Sequence, residues 1–145
     1  MTVFPAGEDG VSEEQAQILL DAARRAAGNA YVPYSNFPVG AAVLTNDGLV
    51  FIGCNVENAS YPLTVCAERV AIGTAVAAGH RRLQAIAVTA LKMDGVTPCG
   101  GCRQVISEFR GVLGSVAVIL DGKDGPEILT IDDLLPRSFG PSGLT

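Results

Sequence analysis

Val39-Gly40-Ala41-Ala42-Val43-Leu44-Thr45-Asn46-Asp47-Gly48-Leu49-Val50-Phe51-Ile52-Gly53-Cys54 is two apolar runs split by an Asn-Asp-Gly turn. Residues 39–44 and 49–54 are each long enough for a strand. The turn residues between them supply the positive φ that a tight hairpin needs, so the stretch predicts an antiparallel pair. Upstream, Ser12-Glu13-Glu14-Gln15 has the form of a capping box, and Ile18, Leu19, Ala22, Ala23 and Ala26 follow as an apolar stripe. A helix is expected to about residue 27, ended by Gly28 and Asn29, with a loop from residue 31 to 36. Downstream, residues 55–64 form a polar loop holding Pro62. Residues 65–78 are helical in pattern and Gly79 closes them. Strand 83–91, loop 92–98, helix 99–110 and strand 115–120 come next. A turn at 121–125, a short strand 127–130 and a short helix 131–135 capped by Thr130 complete the order. Helices alternating with apolar strands predict a sheet covered on its faces, an α/β layered domain. No linker or repeat divides residues 1–145, so one domain is expected. Its tail, 138–145, is rich in Gly and Pro and reads as frayed.

Composition narrows the function. The chain has 145 residues and a net charge of -5, and no run of Lys or Arg exceeds the pairs Arg24-Arg25 and Arg81-Arg82. A nucleic-acid surface carries a basic stripe, so a small-molecule substrate is expected and no nucleic acid. Hydrophobic residues are 48% and charged residues 17%, below the roughly 25% charged of an average domain. That predicts apolar surface for other subunits to cover. The first ten residues lack the basic start and apolar core of a secretory leader, and no apolar run is long enough for a membrane span. The expected location is cytoplasmic, with no membrane partner. In that compartment four cysteines are better read as ligands or nucleophiles than as disulfides.

Two motifs carry chemistry, Cys66-Ala67-Glu68 and Pro98-Cys99-Gly100-Gly101-Cys102. Each falls where a loop becomes a helix. Cys99 and Cys102 are three apart, so one helical turn brings their sulfurs to one face. The partial positive charge at a helix start favours thiolate over thiol. Three thiolates make a zinc site with a fourth position left for water. Glu68, two residues past a ligand, can stand beside that water without binding the metal. A non-ligand Glu near a first ligand, together with Pro-Cys-x-x-Cys, is the pattern of zinc nucleobase deaminases. A closed structural site would need a fourth ligand. His80, the one histidine, lies roughly 20 Å along the helix from Cys66 and is excluded. Cys54 reads as a small core residue at a strand end. Arg69 is placed to offset the net negative charge of three thiolates on zinc.

The chain resembles the small homotetrameric cytidine deaminases over nearly its whole length. The resemblance rests on Tyr34-Ser35-Asn36-Phe37-Pro38-Val39-Gly40-Ala41-Ala42 and Gly53-Cys54-Asn55-Val56-Glu57-Asn58-Ala59-Ser60-Tyr61. It continues through Cys66-Ala67-Glu68-Arg69 and Pro98-Cys99-Gly100-Gly101-Cys102-Arg103-Gln104. It implies a three-layer fold with a five-stranded mixed sheet packed by helices. It implies one zinc per chain on Cys66, Cys99 and Cys102, with Glu68 as proton shuttle. Asn55 and Glu57 would hold the ribose hydroxyls, Phe37 would lie against the pyrimidine, and Tyr61 and Ala67 would complete the substrate pocket. Phe139, in the tail, would reach a neighbouring subunit's site in a homotetramer. The alternative for Phe139 is that it folds back on its own core. The implied reaction is hydrolytic deamination of cytidine and deoxycytidine in pyrimidine salvage, by zinc-activated water. Rival readings are a deaminase of a cytosine-bearing antibiotic such as blasticidin, and a non-catalytic zinc module. Arg103 reads as a surface residue near a helix start.

Overall fold

A computed structural model describes residues 10–144. The reading of the first residues as lacking a leader lies outside these, except at Gly10, as does the tail's last residue, Thr145. The chain forms α1 (Glu13–Ala27), β1 (Val39–Thr45), β2 (Val50–Cys54), α2 (Ala67–Ala77), β3 (Leu83–Ala90), α3 (Gly100–Glu108), β4 (Ala117–Gly122), β5 (Gly125–Thr130) and α4 (Ile131–Leu134). The element order agrees with the sequence reading. The strands make one mixed sheet in the order β2-β1-β3-β4-β5. β1 runs antiparallel to β2 and β3, β3 and β4 are parallel, and β5 returns antiparallel along β4.

Three layers follow from how the apolar residues are spaced. β1 and β3 are central, and seven and eight consecutive residues respectively are at least half-buried, because helices cover both faces. On one face, Leu19, Leu20 and Ala23 of α1 pack on Leu44, Ala85, Ala87 and Ile119. On the other, Ala71 and Ile72 of α2 and Ile106 of α3 pack on Val43, Ile86, Val88 and Val118. The predicted capping box is present: the Gln15 amide donates to Ser12 Oγ at 3.1 Å and the Ser12 amide to Gln15 Oε1 at 2.9 Å. The buried stripe of α1 is Ala16, Leu19, Leu20, Ala23, Ala26 and Ala27. It is thus turned slightly from the predicted face, and Ile18 and Ala22 flank it. Arg24 clamps the far side of the sheet, its guanidinium donating twice to Asp121, which also accepts from Thr89 Oγ1.

Two glycines set how closely the helices approach. A Cβ at Gly40 would meet the Ala23 carbonyl of α1, and a Cβ at Gly53 would lie 2.4 Å from the Ala71 nitrogen and 2.7 Å from the Ala67 carbonyl. Gly53 therefore lets the first turns of α2 rest directly on β2. Gly53→Ala should displace that helix start together with Cys66 and Glu68. Overpacking of this kind costs about 1–3 kcal/mol. The expected result is a lower melting temperature together with reduced zinc content, read by calorimetry and metal analysis.

Over residues 138–144 the tail is tied to the body of the protein rather than frayed. Gln104 Nε2 donates to the Phe139 carbonyl at 2.9 Å, Ser107 Oγ to Ser138 Oγ at 3.3 Å, and Pro141–Leu144 close a 3-10 turn. The polar groups of α3 supply backbone and side-chain partners that the tail's own composition does not reveal. No helix among the described residues is long and apolar enough to cross a membrane.

Candidate metal centre and active site

The site is assembled at two helix starts. Cys66 is the N-cap of α2 and Cys99 the N-cap of α3, both with extended backbone rather than the helical backbone expected from the sequence. The difference is physical: an N-cap residue sits half outside its helix, which turns each thiol toward the helix mouth. Cys102, in the first turn of α3, is buried. Loop 55–65 is closed by paired hydrogen bonds between Val56 and Val65, each 2.9 Å, so Asn55 and Cys66 stand side by side.

The sulfurs of Cys66, Cys99 and Cys102 all lie within 4.8 Å of one another. Zinc–sulfur bonds of about 2.3 Å in a tetrahedron put sulfurs about 3.8 Å apart, so a small contraction brings these three onto one zinc ion. Cys54 is outside the cluster at the end of β2. His80 pairs with Asp47 at 2.8 Å and stacks on Phe51. Among the described residues these three sulfurs are the group that could hold a metal ion, and a tetrahedral ion on them would have a fourth position for water. The Cys66 thiol is pulled down to about 5, first by a hydrogen bond from Cys102 and also by Arg69, whose Nη2 lies 3.5 Å from the sulfur. The same hydrogen bond, with burial, pushes Cys102 up.

Glu68 is 4% exposed, and burial raises its carboxyl above the ordinary carboxylate range. It opens, with Cys66, Ala67 and Cys99, on a cavity of about 170 Å³ walled by Val39, Val88, Val96 and Thr97 and edged by Asn55 and Thr64. A second cavity of about 230 Å³ is lined by Tyr34, Ser35, Glu57, Tyr61 and Thr64. Thr64 borders both, so the two form adjoining chambers. Thr64 carried no sequence signal beyond being a polar residue in a Pro-containing loop.

The other candidates divide between the chambers. Ala67 is buried in the wall beside the sulfurs. Asn55 does structural work as well: Oδ1 accepts from the Val39 amide at 3.0 Å and Nδ2 donates to the Phe37 carbonyl at 2.9 Å. Phe37 is half-buried at the entrance to β1 and is tied to the site through that bond; it is not among the residues lining the metal-side chamber. Glu57 Oε1 accepts from the Tyr34 and Ser35 amides at 3.0 and 3.1 Å, and its carboxyl is held low, first by the Ser35 hydroxyl. Tyr61 is exposed and packs its ring on Tyr34, centroids 5.6 Å apart. Phe139 is 65% exposed and does not fold back on its own core. Arg103 is not a solvated surface residue. Its guanidinium bonds to three groups, a role that its place just after Cys102 only hinted at.

Fold and site together define a zinc-dependent deaminase, with a cluster of three sulfurs and a buried carboxyl that shares a cavity with two of them, on a three-layer α/β scaffold. The comparisons agree. The family described as the cytidine and deoxycytidylate deaminase zinc-binding region matches residues 13–119. A cytidine deaminase of Sporosarcina psychrophila is 47% identical over 128 residues, covering 88% of this chain and 93% of that one. One from Mycobacterium tuberculosis is 46% identical over 118 residues, covering 81% and 84%. The crystal structure of cytidine deaminase from Burkholderia pseudomallei superposes with a TM-score of 0.77 at 48% identity, covering 85% of this chain and 98% of that one. The chain belongs to the cytidine and deoxycytidylate deaminase family.

Proposed function

We propose that the protein hydrolyses cytidine and deoxycytidine to uridine and deoxyuridine, releasing ammonia, within pyrimidine salvage in the cytoplasm. The observation that carries this is Glu68. It is a buried carboxyl two residues beyond one sulfur ligand, opening on the same cavity as the cluster. Bound zinc supplies the Lewis acidity that brings the pKa of water toward neutrality. Glu68 takes a proton from the attacking water and passes it to ring N3, which makes C4 more electrophilic. It then carries a proton to the departing amine. A carboxyl raised by burial is suited to holding and releasing that proton in turn. Arg69 holds Cys66 in place and offsets the charge of three thiolates.

The two chambers match the two halves of a nucleoside, the pyrimidine over the sulfurs and the sugar toward Glu57. Asn55 keeps one amide hydrogen beyond its bond to Phe37, available to a ribose hydroxyl. Phe37 steadies the pyrimidine, and Tyr61 with Tyr34 edges the sugar side. A carboxylate at Glu57 disfavours a phosphate on the sugar. With k_cat/K_M compared for cytidine, cytosine and cytidine monophosphate, the nucleoside should exceed both others by at least about tenfold, because remote binding places the reacting carbon. Equal values for all three would contradict the assignment.

The active unit in this reading is a homotetramer in which Phe139 covers a neighbour's base pocket. Tyr61, Leu63 and Phe139 are each more than 60% exposed, a surface suited to a second subunit. The Gln104 bond to the Phe139 carbonyl fixes the backbone while leaving the ring projecting. Mixing Phe139→Ala with Glu68→Gln chains should recover part of the activity, since hybrid sites pair an intact ring with an intact carboxylate. Mixtures no more active than the sum of the separate variants would restrict each site to one subunit.

A further inference from the structure

Cys99 is the exposed member of the sulfur trio, and its own helix start does little to hold it. The two residues that follow, Gly100 and Gly101, have no side chains, and a Cβ at either would touch nothing within 4 Å. Two consecutive glycines make the first turn of α3 conformationally permissive. Arg103 supplies what they lack. Its backbone amide donates to the Cys99 carbonyl at 2.9 Å. Its side chain turns back over the helix start, with Nε 2.8 Å from the Pro98 carbonyl and Nη2 3.2 Å from Thr97 Oγ1. The guanidinium thus grips the carbonyl just before the Cys99 Cα, while the amide bond to the Cys99 carbonyl is the ordinary first turn of the helix. The third arm, Nη1, bonds the Leu134 carbonyl at 2.9 Å and anchors the guanidinium to the end of α4.

We infer that Arg103 is a positioning residue for the metal centre, holding Cys99 in ligating geometry chiefly through the Pro98 carbonyl, with a weaker bond to the Thr97 hydroxyl, without touching the metal. Arg69 steadies Cys66 by direct contact with its sulfur; Arg103 steadies Cys99 from behind. The planar fork suits three acceptors on two segments, and a lysine ammonium, a single point donor, cannot span them. This rests on the cluster being the zinc site, and the test separates the two ideas.

Two readouts other than activity apply: the rate of zinc release to a chromogenic chelator, and the visible spectrum of the cobalt-substituted protein. Loss of groups that orient metal ligands costs roughly 10–100-fold in affinity. Arg103→Ala should release zinc at least about tenfold faster and shift the cobalt bands. Arg103→Lys should fall between it and the parent protein, and Thr97→Val, which spares the Pro98 bond, should stay near the parent. Asp133→Ala is the control for α4, because it removes the capping bond from the Thr130 amide to Asp133 at 2.8 Å without touching the loop. It should leave zinc release unchanged. Parental release and spectrum in Arg103→Ala would overturn the inference. So would an Asp133→Ala protein that loses zinc as fast, because the effect would then run through α4. If Arg103→Ala does not fold, Arg103→Lys decides: faster release than the parent supports the role and equal release refutes it. Failure of the parent to show thiolate–cobalt absorption would instead count against the zinc site itself.

Discussion

Glu68→Gln will retain zinc and the fold while its k_cat falls by at least about 10²–10⁴, the contribution of a single positioned acid–base group. The substitution is nearly isosteric, which matters because Glu68 is buried in the first turn of α2 where a smaller residue would leave a void. The amide cannot take a proton from water and return it at N3 or at the leaving amine. The loss should therefore sit in k_cat, with K_M changed much less. Replacing a buried carboxyl by a neutral amide also removes the cost of keeping a charge out of water, so the variant should melt no lower than the parent. Metal analysis, melting and steady-state kinetics on one preparation check all three points. Near-parental k_cat at full zinc occupancy would take Glu68 out of the reaction.

The second large effect concerns the sulfurs. Alanine at Cys66, Cys99 or Cys102 should each abolish stoichiometric zinc binding and, with it, measurable turnover. Cys54→Ala should keep one zinc per chain and near-parental rates. A direct ligand must cost more than the roughly 10–100-fold in affinity typical of an orienting group. Cys66 should be the most damaging, because it is also the partner of Arg69. Cys99 should be the mildest of the three, being the exposed member of the trio. Zinc lost from Cys54→Ala and retained in Cys66→Ala would mean a different ligand set.

The sheet and the sulfur cluster were legible in the sequence because both are written in local pattern. Asn46-Asp47-Gly48 between two apolar runs admits few structures other than a hairpin, and Gly48 takes φ +82° there. The spacing of Cys99 and Cys102 needs one helical turn and nothing further. Helix starts were harder. Cys66 and Cys99 read as helical, yet each is an extended cap, since caps obey the needs of unpaired backbone amides rather than apolar periodicity. Long-range hydrogen bonds were not legible at all. Arg103 meets Leu134 thirty-one residues away, and Gln104 meets Phe139 thirty-five residues away. Neither pairing leaves a trace in composition, so Arg103 read as surface and the tail as frayed. Asn55 shows the same limit in milder form. Its place at the site was readable by resemblance, but its bonds to Phe37 and Val39, which fix the mouth of β1, emerge only from the folded chain.

The central claim is that zinc held by Cys66, Cys99 and Cys102 works with Glu68 to deaminate cytidine. Its most direct test is a zinc titration of the metal-stripped protein, following the fall in cytidine absorbance and the ammonia released. The account predicts no turnover without metal, and a rate that rises linearly and levels at one zinc per chain, with ammonia and uridine formed in equal amounts. Full activity in the stripped protein, or a zinc-saturated protein that leaves cytidine unchanged, would contradict it.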